Sequence, residues 1–177
     1  ERATTEKLEG VCRVEVADYR SLAQGETFDR IASVGMVEHV GRANLDGYFA
    51  EAYRLLRPGG LLLNHGIIFP RPLPSGWRAG AAGLVWRPGA FIRRYVFPDG
   101  ELVTPGEMVS RAEAVGFETR DLESLREHYV LTLRHWVHRL EAHAPQAVAA
   151  VGEAAYRTWR LYMAGSVSYT HLTLPTK

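Results

Sequence analysis

Glu38, His39 and His65 are the residues of this chain best placed to do chemistry, because each follows a largely apolar run of strand length and lies close to a glycine. In FDRIASVGMVEHVG, the stretch Ile31, Ala32, Ser33, Val34 reads as a buried strand, and Gly35 lets the backbone approach a ligand. A second run, Leu61, Leu62, Leu63, ends in Asn64-His65-Gly66-Ile67. In open α/β sheets ligands sit at the carboxyl ends of the strands. Two neighbouring strands would therefore bring a carboxylate and an imidazole to one crevice, where one accepts and the other donates a proton or hydrogen bond.

The elements that must position these groups follow from spacing. Leu45, Phe49, Ala52 and Leu56 recur at helical intervals after Asn44, a residue suited to cap the helix, and Arg57-Pro58-Gly59-Gly60 closes it. The leucines after Gly60 predict a strand buried on both faces. Upstream, residues 13–18 read as the first strand, with Gln24-Gly25-Glu26 as the turn into the next. Strand, helix and strand in alternation predict a parallel sheet. Thr104-Pro105-Gly106-Glu107 is a capping box opening a helix that ends near Gly116, and residues 117–121 read as a short strand. A long helix then carries Leu125, Tyr129, Leu133, Trp136 and Leu140 on one stripe. Pro145 interrupts it, and Val148, Val151, Ala155, Trp159 and Tyr162 define another.

In this order SVGMVEHVG, LLRPGGLLLNHGI, RRYVFPDGEL and LREHYVLTLRHW resemble the cyclopropane-fatty-acyl-phospholipid synthase and mycolic-acid cyclopropane synthase family of S-adenosylmethionine-dependent enzymes, over residues 11–165. LLRPGG alone is a weak signal, shared by many class I methyltransferases; the ordered set is strong. The resemblance implies an α/β, Rossmann-like class I methyltransferase fold. It also implies transfer of a methylene unit from S-adenosylmethionine to a cis double bond of an unsaturated phospholipid acyl chain. In the family the base is thought to be a bound bicarbonate, and the match carries its ligands over as Glu38, His65, Ile67 through its backbone, and Tyr129. The family's pocket cysteine belongs to an upstream segment, and Cys12 does not match it, so the anion site is expected to be incomplete here. Cofactor contacts carry over as Asp18 and Tyr19 beside the adenine, with Val34, Gly35 and Met36 on the next face. His39 either faces the cofactor or orients the loop. Taken alone, His65 fits a core histidine equally well, and Tyr129 a packing residue on its helix stripe. No metal site is assigned.

At 177 residues, with 46% hydrophobic residues, the chain has the length and composition of one globular domain. Its net charge of +1 offers no field for nucleic acid. Cys12 is the sole cysteine, so no internal disulfide can form, and a reducing compartment is expected. No apolar run reaches the length of a membrane span, and no signal peptide is visible. Residues 70–98 hold five of the nine prolines. From Ala52 to Pro98 there is no acidic residue, while Arg71, Arg78, Arg87, Arg93 and Arg94 alternate with Trp77, Leu84, Trp86 and Phe91. Arginine pairs with phosphate and tryptophan favours the headgroup region, so residues 70–98 are expected to be a lipid-facing insertion rather than a plain arginine-rich loop. A cytoplasmic enzyme, peripheral at the inner membrane face, is the matching expectation, with a homodimer left open.

Both ends depart from the family pattern. The Gly-rich cofactor turn is missing, so residues 1–165 are expected to be an N-terminally truncated catalytic domain, inactive on its own. Residues 166–177, SVSYTHLTLPTK, resemble translated adapter sequence and are expected to be a non-native tail. Two rivals remain: a methyltransferase acting on another lipid or small metabolite, and an inactive lipid-binding remnant. Retention of Glu38, His65 and Tyr129 together argues against the second.

Overall fold

The computed structural model describes residues 2–8, 10–22, 25–69, 90–98 and 100–172. Its centre is a parallel pair of strands, β1 (Phe28–Val34) and β2 (Leu56–His65), in register from Arg30 opposite Leu61 to Val34 opposite His65. A single turn of helix, α1 (Arg2–Thr5), precedes them, and a second, α2 (Val37–Val40), follows β1. Helix α3 (Leu45–Leu55) makes the crossover and lies on one face of the pair. Beyond β2 come α4 (Ala90–Tyr95), α5 (Pro105–Ala114), α6 (Arg126–Ala142), α7 (Ala144–Val151) and α8 (Glu153–Leu172).

The core sits where α3 meets the sheet. Leu45, Tyr48, Phe49, Ala52 and Leu55 are its buried stripe, and Val37 and Val103 close the cluster. Phe49 is 1% exposed and takes Tyr48 and Phe117 edge-on, at ring separations of 5.0 and 6.4 Å. Helix α5 begins with the N-cap half of the expected capping box, the Glu107 amide donating to Thr104 Oγ1 at 3.2 Å, while the Glu107 carboxylate turns to arginines instead. It is clamped to the turn before α3 by Arg42, whose guanidinium donates to both oxygens of Glu107 at 2.7 Å each. Arg111 joins Glu107 to Asp46. Arg42 foremost, and Arg111 after it, hold the Glu107 carboxyl below its ordinary value against the opposing effect of burial. The sign follows: this carboxylate's contribution is present above the ordinary glutamate range and is lost as pH falls through the depressed value. Helices α6 and α8 pack together, burying Val130, Leu133 and Met163.

Several expectations are corrected. Residues 13–18 form no strand: Val14 and Val16 are exposed, and no described strand offers them a ladder partner, without which an extended segment gains no pairing. Residues 117–121 are irregular as well, because Phe117 is spent on the rings of Phe49 and Tyr53. Leu61 and Leu63, at 51% and 58% exposure, show that only one face of β2 is covered among the described residues. Asn44 does not cap α3; its amide donates backward to Val40 O at 2.8 Å. Arg57-Pro58-Gly59-Gly60 belongs to β2 rather than to a helix end, and the pairing register shifts across it. Gly152, with φ +83°, breaks the stripe that joined Val148 to Tyr162 and separates α7 from α8. The proposed insertion at 70–98 lies largely outside the described residues, as do 173–177 of the tail.

Truncating the core ring by Phe49→Ala is expected to lower unfolding stability by about 3–5 kcal/mol in a urea titration. Val14→Ala, in the exposed segment, is expected to stay within about 0.5 kcal/mol of the parent.

Candidate active site

Because β1 and β2 run parallel with Val34 level with His65, both chains leave the sheet at the same height, and the Gly35 amide donates to His65 O at 2.9 Å. Gly35 turns the chain at φ +66°, a conformation side chains resist, and sends it into α2. Val37 then plugs into the core at 2% exposure. The next residue is thereby carried inward: Glu38 is 8% exposed, and its Oε2 has no hydrogen-bond partner.

From the other strand, Gly66 comes directly against this carboxylate. A Cβ at Gly66 would lie 2.4 Å from Val37 Cγ1 and 2.9 Å from Glu38 Oε2, so only a hydrogen fits. The backbone between His65 and Ile67 thus forms one wall of the carboxylate's niche. The imidazole of His65 is exposed and makes no side-chain hydrogen bond to a described residue, and Ile67 is 39% exposed.

An aromatic cluster stands beside this turn. Tyr129, on α6, is half-buried, and burial pushes its phenol above the ordinary value, with the neighbouring Tyr162 and Glu38 adding to the shift. It remains a neutral donor at physiological pH. Tyr162 is raised likewise, chiefly by burial. Phe97 stands edge-on to Tyr162 at 5.6 Å and to Trp159 at 6.2 Å, and His39 stacks obliquely on Phe97 at 6.0 Å. His39 therefore faces this aromatic layer, on the outer side of the turn that buries Glu38.

The residues expected beside a nucleotide divide into two sets. Tyr19, Val34 and Met36 converge on one cavity of about 350 Å³, shared with Ile31, Tyr48 and Leu62. There Tyr19 meets Tyr48 edge-on at 5.8 Å, and the Tyr48 hydroxyl donates to Asn64 Oδ1 at 2.9 Å. Gly35 sits between Val34 and Met36 with nothing within 4 Å of its missing Cβ. Asp18 is engaged elsewhere: Arg20 grips it through Nε at 2.9 Å, Nη2 at 2.5 Å and the backbone amide at 2.9 Å. Those bonds, side chain first, pull its carboxyl down to about 2. Sequence reasoning missed Gly66, Phe97 and Tyr162 as parts of the niche. The first was visible only as a letter of NHGI, and the others meet Glu38's turn from distant elements.

With that geometry in place, the comparisons decide the family. Residues 1–172 match the model of the mycolic acid cyclopropane synthetase family. The chain belongs to this family. It is 41% identical over 169 residues to a probable fatty acid methyltransferase of Pseudomonas putida, covering 93% of this chain and 40% of that protein. It is 34% identical over 147 residues to cyclopropane mycolic acid synthase 1 of Mycobacterium tuberculosis, covering 79% of this chain and 49% of that protein. The solved cyclopropane synthase MmaA2 from M. tuberculosis superposes with a TM-score of 0.78 at 27% identity, over 97% of this chain and 61% of that one. CmaA1, solved in complex with SAH and CTAB, gives 0.77 at 28%, over 96% and 61%. The fold is that of the class I S-adenosylmethionine-dependent methyltransferases. The chain spans 40% to 49% of the length of these curated relatives.

Gly66→Ala is expected to displace Val37 or Glu38 and to lower stability by about 1–3 kcal/mol in thermal unfolding. Gly47→Ala, in the first turn of α3 with nothing within 4 Å of its Cβ position, is expected to raise it by about 0.5 kcal/mol.

Proposed function

We propose that the enzyme carrying this chain transfers a methylene unit from S-adenosylmethionine to a cis double bond of an unsaturated phospholipid acyl chain. The observation that carries the reading is the buried, unpartnered Oε2 of Glu38 against the α-carbon of Gly66. A carboxylate oxygen left without a partner inside a protein costs about 1–3 kcal/mol or more, so such a group answers to a ligand that donates to it. Bicarbonate fits this niche. Its remaining proton would go to Glu38, while Tyr129, the His65 imidazole and the Ile67 amide could donate to its oxygens.

The reaction explains the need. The methyl donor, when bound, supplies an electrophilic carbon on sulfur. As the new carbon–carbon bond forms and the carbon–sulfur bond breaks, one alkene carbon becomes cationic. Loss of a proton from the added methyl then lets the ring close. Glu38 orients the base that takes this proton, and the aromatic layer of Phe97, Tyr162 and Trp159 keeps water from capturing the cation. Tyr19, Val34 and Met36 would line the adenine side of the donor, with Gly35 allowing close backbone approach. A second reading, addition of a methyl branch instead of a ring, is favoured by the relationship to a probable fatty acid methyltransferase. In both the cation gives up one proton to the base: ring closure yields the cyclopropane, whereas elimination leaves the branched chain with a carbon–carbon double bond, and the product distinguishes them.

In the full-length enzyme, Glu38→Gln and His65→Ala are each expected to lower turnover by about 100-fold or more, with S-adenosylmethionine affinity changed less than about fivefold. Turnover and cofactor titration check this, and wild-type turnover in either variant removes the assignment.

The phospholipid also defines a surface. Among the described residues, Arg93, Arg94 and Tyr95 are exposed on α4, with the Arg94 guanidinium 5.5 Å over the Tyr95 ring, two residues before Phe97 of the aromatic wall. On the proposed reading these side chains meet headgroup phosphates of the inner leaflet beside the cleft, and the protein is a cytoplasmic, peripheral enzyme. No helix among the described residues is long and apolar enough to cross a membrane. Binding of the full-length enzyme to anionic vesicles is expected to weaken with added salt, and Arg93→Gln with Arg94→Gln to reduce it severalfold. Unchanged binding in the double variant at every salt concentration would leave α4 as plain surface.

A further inference from the structure

The side chain of Glu38 is not held by its own hydrogen bonds at Oε2, so its position depends on the backbone that carries it. That backbone is held from outside at its end by Asn44, whose side-chain amide donates to Val40 O at 2.8 Å, and at Glu38 itself by Glu101. The Glu101 amide donates to Glu38 O at 2.9 Å, and Glu101 Oε2 accepts from the Arg42 amide at 2.7 Å. The two contacts fall on either side of Gly41, whose φ of +83° makes it the flexible point between α2 and the turn Arg42–Asn44. A Cβ at Gly41 would lie 3.9 Å from the same Oε2, so the carboxylate is drawn close over the glycine.

Glu101 is itself anchored at a short distance along its chain. Val103 is buried in the core beside Val37, and its carbonyl accepts from the Phe69 amide at 2.8 Å. The strap 101–103 therefore touches the chain beyond both strand ends: Glu38 after β1, and Phe69 just past the NHGI segment of β2. Arg42 cannot substitute for this hold, because its guanidinium is committed to Glu107.

We propose that Glu101 is a positioning residue for Glu38, fixing the α2 turn by its amide before Gly41 and its carboxylate after it. The inference rests on the reading of Glu38 as part of the reacting site. The Glu101 carboxylate is exposed and fills no core space, so removing it opens the turn without leaving a cavity. Small displacements of a positioned group cost rate far more than they cost affinity.

The test uses Glu101→Ala and Glu101→Gln, since the carboxamide oxygen of Gln can still accept from the Arg42 amide. In the full-length enzyme, Glu101→Ala is expected to lower kcat about 10- to 100-fold, with KM for S-adenosylmethionine within about threefold and Glu101→Gln restoring kcat to within about threefold of wild type. Melting temperatures are expected to agree within about 3 °C. Amide hydrogen exchange on the 177-residue chain reads the contact without turnover: Arg42 should exchange faster in Glu101→Ala and at the wild-type rate in Glu101→Gln. Wild-type kcat in Glu101→Ala overturns the proposal, as does a loss in KM alone, or Arg42 exchange unmoved by the substitution. A wild-type enzyme that transfers no methyl group, with Arg42 protected, removes instead the reading of the site on which it rests.

Discussion

A carboxylate buried without a partner at the meeting of two parallel strand ends is the constraint on which the rest of this structure turns. Glu38 could reach that position only if the chain before it reversed sharply, if the residue before it were anchored, and if the opposing strand offered no side chain. Gly35, Val37 and Gly66 meet these conditions one each. The parallel register makes the meeting possible, because hydrogen bonding from Arg30 to Val34 brings Gly35 and His65 to the same level. An antiparallel partner would have sent its carboxyl end to the opposite edge of the sheet. Beneath the niche, the rings of Tyr48 and Phe49 supply the packing that offsets the burial of a charge.

Around that centre the charged groups are kept to the outside and spent on one another. Arg42, Glu107, Arg111 and Asp46 form a surface network that ties α5 to the start of α3, and Arg20 engages Asp18 in the same way. Neutral donors occupy the inside. Burial raises Tyr48, Tyr129 and Tyr162 alike, and for Tyr48 and Tyr129 the nearby Glu38 adds to the effect. This division leaves Glu38 as the buried acidic side chain of the described core.

How much of this could be read from the residues depended on how local each signal was. The crossover helix, the capping box at Thr104 and the parallel pairing rest on patterns a few residues long, and they are present as expected. Strands at 13–18 and 117–121 were misread because a strand needs a neighbour, and the apolar residues of Phe117's segment found rings to pack on instead. Leu61-Leu62-Leu63 carried no sign of which face was covered, since three leucines have no alternation. Within the site, Glu38, His65 and Tyr129 stood in recognisable motifs. Gly66's tightness and the partner of Asp18 did not: one is set by a contact across strands, the other by an arginine two residues away that any surface turn could carry.

The niche also bears on why water must be kept out. On the proposed reading, a cation forms on the acyl chain within reach of the base. A water molecule at Oε2 would both satisfy Glu38 and capture that cation. Burial excludes it. Glu38 has no arginine or lysine partner among the described residues, so its Oε2 stays available to a donating anion rather than being locked to a cation. A fixed ion pair would have occupied the oxygen that a donating base needs. The stability of the turn is drawn instead from the peptide groups and the core valines, which leaves the one chemically useful atom free.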